Sequence, residues 1–157
     1  MRSWGSSFRS NARRSPTSCR GNSAATCSTC PDQGSKNEAG TVSAGTLGAE
    51  CSIEQRSADA RQVALQILAS LRYALGSLDH VETIIKLLGM VQATADSTDH
   101  PKVIDGCSDL LIEIFGERGR HARSAVGMSS LPGGLTVEVE AIVQIKSDVQ
   151  VRRFGRE

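Results

Sequence analysis

Large apolar residues are spread so unevenly along this 157-residue chain that they decide where a core can form. Counting Val, Ile, Leu, Met, Phe, Trp and Tyr, residues 1–50 hold five and residues 51–146 hold 32. Ordering a residue costs about 1–2 kcal/mol of conformational entropy, so the first fifty residues do not bury enough surface to offset it. One folded domain is therefore expected over residues 46–146. A disordered or aberrant segment, 1–45, precedes it, and a loose charged tail, 147–157, follows.

Charge nearly cancels: 18 Lys+Arg stand against 17 Asp+Glu. That balance argues against binding nucleic acid or a membrane surface by bulk electrostatics, and five aromatic residues give little for stacking on bases. No apolar run approaches the roughly 18 residues of a membrane-spanning helix. Residues 1–31 carry five Arg and eight Ser with no Asp or Glu. They read as a disordered tail, as an organelle transit peptide, or as sequence foreign to the natural N-terminus. A cytoplasmic location is expected, with the transit peptide as the alternative.

The five cysteines, Cys19, Cys27, Cys30, Cys51 and Cys107, are an odd number without a secretory signal, which does not suggest a disulfide framework. Cys27 and Cys30 have the spacing of half a zinc site. No second pair follows, and His80, His100 and His121 lie far along the chain, so no metal and no cofactor are expected. Cys107 falls on the apolar face of a predicted helix and reads as core.

Within the domain the periodicities are plain. Ala60, Val63, Ala64, Ile67, Leu68, Leu71 and Leu75 form one helical stripe, with Ser52 and Gln55 as a capping box and Gly76 at the C-cap. The run Val81–Val91 is a strand. Thr98 or Asp99 can cap a second helix with Pro101 in its first turn, its apolar face being Val103, Cys107, Leu110, Leu111, Ile114 and Phe115. Two strands close the domain, 122–131 and 135–145, and Pro132-Gly133-Gly134 between them reads as a hairpin turn. Helix, strand, helix, strand, strand gives an α+β layer, a small mixed sheet with two helices on one face. Three strands are few for two amphipathic helices, so further sheet or cover is expected from the front of the chain or from another copy.

No P-loop, dinucleotide fingerprint, zinc-protease or nucleophile-elbow spacing occurs. Each histidine reads as a surface or helix-end residue. The remaining candidates are charged residues on apolar strands. Arg123, among the small residues Ala122, Ser124, Ala125 and Gly127, could hold a carboxylate bidentately; the plain alternative is a solvated strand-end arginine. Glu138 and Glu140 share one strand face, either as its wet side or as a group orienting water near Arg123.

At these residues the chain resembles a known family. Ala122-Arg123-Ser124, then Leu131-Pro132, then Val137-Glu138-Val139-Glu140-Ala141, are similar to the C-terminal signature of the YjgF/Rid family, also called the endoribonuclease L-PSP family. Gly76-Ser77-Leu78 before the middle strand, and His100-Pro101 through Phe115-Gly116, agree in order and spacing. The likeness covers about residues 46–146, with an outer limit near Gln33-Gly34.

The resemblance implies a chorismate-mutase-like fold assembled as a homotrimer with ligand clefts between subunits, and an enzyme hydrolysing 2-imino or enamine acids to 2-oxo acid and ammonia. It assigns the substrate carboxylate to Arg123, with Ser124 and Ala125 beside it, and the hydrolytic water to Glu138. A non-catalytic ligand-binding or regulatory trimer is the alternative; ribonuclease action finds little support in the charge and aromatic content. The family also opens with two strands and a glycine-rich hairpin. Residues 1–31 show neither, as a frame-shifted or misassigned start would produce, and the N-terminal hairpin is therefore not expected.

Overall fold

The computed structural model describes residues 26–29, 43, 45–147 and 149–152. Strand β1 is Thr26–Thr29, helix α1 Ile53–Leu75, strand β2 Val81–Gln92, helix α2 His100–Phe115, strand β3 Ala122–Met128 and strand β4 Val137–Ile145.

Helix α1 forms as its sequence dictates. The Ser52 hydroxyl accepts from the Gln55 amide (3.3 Å) and the Gln55 side chain accepts from the Ser52 amide (2.9 Å), closing the capping box. Gly76 ends the helix at φ 81°, donating its N–H to the Arg72 carbonyl. The expected stripe is buried along its whole length.

Helix α2 starts after Asp99 as expected, but the Asp99 side chain makes no cap. It pairs with Lys102 at 2.8 Å. Ile114 is 48% exposed, against expectation, whereas Val103 and Leu110 on the same side of α2 are buried.

The sheet is mixed, in the order β1-β4-β2-β3. Here the expected hairpin fails: β3 and β4 do not pair. β2 lies between them, parallel to β3 and antiparallel to β4. The cause is α2, a crossover that returns the chain parallel to β2 and so takes one edge. The Pro132-Gly133-Gly134 turn then carries the chain across to the other edge. A fourth strand joins the three expected: β1, in the segment read as lacking regular structure, pairs antiparallel with β4, Thr26 opposite Gln144 and Thr29 opposite Ala141. The remainder of 1–42, Cys30 included, and the side chain of Cys27 lie outside the described residues.

Both helices cover one sheet face, α1 over β4 and α2 over β2 and β3. Two glycines allow this closeness. A Cβ on Gly89 of β2 would meet the Ile104 side chain at 2.5 Å, and one on Gly106 of α2 would meet the Ser57 carbonyl oxygen of α1 at 2.0 Å. Of the tail expected to be loose, residues 149–152 are described: Val149 and Val151 lie against the core, and the Arg152 amide donates to the Ala74 carbonyl at 2.9 Å. No helix among the described residues is long and apolar enough to cross a membrane.

A buried polar knot ties α1 to the start of β4. Arg56, 3% exposed, pairs with Asp59 at 2.5 Å, and the Thr136 hydroxyl donates to the same carboxylate oxygen at 2.9 Å. Cys51 lies in contact with the Arg56 guanidinium.

Candidate functional site

Register decides which side chains share a face, because successive residues of a strand alternate. Arg123 lies opposite Leu87, which lies opposite Ala141, on the face covered by the helices. Ala125 follows on that face beside Gly89. Ser124, opposite Leu88, and Glu138, opposite Met90, stand on the open face. The four residues assigned from the resemblance are thus divided between the two faces of one protomer's sheet: Arg123 with Ala125, and Ser124 with Glu138.

What surrounds Arg123 was not legible from spacing. Its Nη1 donates to Asp105 Oδ1 at 2.7 Å and to Ser108 Oγ at 3.0 Å, both on α2. Ser108 Oγ is 3.1 Å from His121 Nε2, and His121 Nδ1 is 2.6 Å from the Gly119 carbonyl. A carbonyl only accepts, so Nδ1 carries the proton and Nε2 is left as an acceptor. The Ser108 hydroxyl therefore donates to His121 and accepts from Arg123, and every bond in the chain has one direction. Burial pushes the His121 pKa below its ordinary value; the Gly119 carbonyl opposes this and the Arg123 charge adds to it. The neutral imidazole this chain of bonds requires is the form the surroundings favour.

Anchoring through Nη1 leaves the other side of the guanidinium open. Nε and Nη2 of Arg123, the pair whose parallel N–H bonds match a carboxylate, have no hydrogen-bond partner among the described residues. The Arg123 side chain is 24% exposed and that of Asp105 50%. Such a half-wet ion pair is worth about 0–1 kcal/mol, so it orients the guanidinium without locking it against a ligand.

Cys107, next to Ser108, is fully buried as expected, and burial pushes its thiol up to about 12. It is no nucleophile. Among the described residues no group of three His, Cys, Asp or Glu could hold a metal ion.

Three residues of the site escaped the sequence reading: Asp105, Ser108 and His121. The available signal was on α2, where Asp105 and Ser108 stand one turn apart beside an otherwise apolar stripe.

Comparison with known proteins places the chain in a family. The model of the family described as "YjgF/chorismate_mutase-like, putative endoribonuclease" matches residues 14–139, and the chain belongs to that family. The match begins well before residue 46, so the relationship extends into the segment that composition sets apart. Protein TCP17 of Trypanosoma cruzi is 42% identical over 113 residues, 71% of each chain. The crystal structure of Atu1372 from Agrobacterium tumefaciens, a protein of unknown function, is 35% identical over 80% of each chain, with a TM-score of 0.73. Escherichia coli TdcF with bound serine shares the fold at 19% identity and a TM-score of 0.55, over 85% of this chain and 95% of its own.

Proposed function

We propose that this protein is a deaminase of reactive 2-imino and enamine acids, hydrolysing them to a 2-oxo acid and ammonia. The observation that carries the reading is the Arg123 guanidinium, pinned through Nη1 with its carboxylate-matching edge open on an edge strand. Membership of the YjgF family supports it, as does the serine, a carboxylate-bearing ligand, bound to TdcF.

The chemistry asks little of the protein. Water adds to C2 of the iminium, the C–N bond breaks, and the nitrogen leaves as ammonium with both water protons. The carbon is already electrophilic, so holding the carboxylate and placing a water supply most of what catalysis needs. Glu138 is the residue for the water. It stands on the opposite sheet face from Arg123, so a complete site combines Arg123 of one protomer with Glu138 of a neighbouring copy, in a homotrimer with clefts between subunits. A cytoplasmic location goes with this reading, import directed by residues 1–31 being the alternative.

The test supplies an enamine generated enzymatically from threonine or serine and follows ammonia and 2-oxo acid. Release above the uncatalysed rate is expected, with Arg123→Ala losing it and Arg123→Lys, which keeps the charge without the fork, retaining only a fraction. Full activity in Arg123→Ala overturns the carboxylate role. The separation of Arg123 from Glu138 within one protomer favours a second reading, a carboxylate-binding protein without turnover. Binding of 2-oxo acids with no ammonia release would identify it.

A further inference from the structure

Asp105 gives the Arg123 site a second charge. One carboxylate oxygen is 2.7 Å from Arg123 Nη1, while the side chain as a whole is half exposed. Its other oxygen has no hydrogen-bond partner among the described residues. Arg123 in turn keeps the Nε–Nη2 edge open. The two open edges belong to one ion pair held in place from below by Ser108, itself fixed through His121 and the Gly119 carbonyl.

A neutral ion pair exerts little net pull on a bare anion, because the acid's repulsion offsets much of the arginine's attraction at these separations. A ligand carrying both charges close together meets no such cancellation: each end finds its opposite. We propose that Asp105 makes this a zwitterion site, in which Arg123 takes the ligand's carboxylate and Asp105 takes its cationic α-nitrogen, ammonium or iminium. The inference rests on the carboxylate role of Arg123 proposed above and deepens it by naming the substrate form. The site binds the iminium acid in preference to the 2-oxo acid it becomes, since hydrolysis removes the charge that Asp105 reads. Product release follows from the reaction itself.

The experiment is calorimetric binding of two matched ligands, alanine and propionate, to the full-length protein near neutral pH. Alanine should bind the wild-type protein at least about tenfold more tightly than propionate. Asp105→Asn should erase that preference and raise propionate affinity, since the repulsion of the acid is removed, and the propionate binding shows that the site is intact. Equal affinities in the wild-type protein overturn the zwitterion site. So does a preference that survives in Asp105→Asn, and so does loss of both ligands in that variant, which would make Asp105 only a support for Arg123. Unchanged propionate binding in Arg123→Ala, or no binding of either ligand to the wild type, instead overturns the carboxylate role itself.

Discussion

At the scale of single residues, two polar groups make opposite demands on the fold. His121 sits neutral between Ser108 and Gly119 with its pKa held below the ordinary 6.5. The unfolded chain therefore takes up a proton at a higher pH than the folded one does. Between the folded value and 6.5 the unfolded state binds more protons, so stability is lost as pH falls through that window. Urea unfolding across this range should show the wild type losing stability relative to His121→Gln as the solution becomes more acid; a constant difference would mean that His121 does not titrate on unfolding. Asp59 is a matter of charge already buried. Removing it takes a carboxylate from a 3%-exposed arginine, so Asp59→Ala should cost clearly more than the loss of an exposed pair. Glu113, whose pair with Arg61 is 46% and 62% exposed, should matter by less than about 1 kcal/mol. Comparable losses from Asp59→Ala and Glu113→Ala in chemical denaturation would contradict this assignment.

At the scale of elements, α2 is held between β2 and α1 by two close approaches. Gly89→Ala pushes a methyl into three carbons of the buried Ile104, an overpacking that costs about 1–3 kcal/mol. Gly106→Ala drives one against a backbone carbonyl, which cannot change rotamer, so it should lower the melting temperature further than Gly89→Ala. The reverse order would mean that the helices slide apart more easily than the sheet yields. The elements also show what a sequence can disclose. The stripe, capping box and closing glycine of α1 are local properties, and the structure has all three. The Pro-Gly-Gly segment announces a turn but not what the turn joins, because pairing depends on which edge of β2 the crossover has already filled. Thr26–Thr29 has no apolar alternation, so β1 is defined by its partner alone. Arg123 is legible through its family motif, whereas Asp105 and His121 reach it only through the packing of α2 on β3.

At the scale of the whole molecule, one sheet face has no cover among the described residues. Val126 and Met128 on β3 are 40% and 37% exposed there, beside half-buried Leu88 and Met90. The proposed trimer covers this face and brings Glu138 to a neighbour's Arg123. Wild-type protein should therefore sediment with the mass of three chains at micromolar concentration. Val126→Glu, which places a carboxylate on that face, should shift it toward monomer with its far-ultraviolet circular dichroism retained. A wild-type monomer would leave Arg123 and Glu138 apart and the hydrolytic reading without a water-placing group.

The register of β1 bears on the order in which the sheet is made. β2, α2 and β3 follow one another along the chain, and β4 comes soon after; Thr26 must wait for Gln144, about 118 residues away. Long-range pairing is closed late because its loop entropy is met before its contacts repay it. The β1–β4 ladder is thus the last seam of the sheet to zip and the first to open, and it can part while the β4–β2–β3 core stays whole. Amide hydrogens of β1 should exchange with solvent faster than those linking β4 to β2, and equal protection of the two ladders would mean that the sheet opens as one unit.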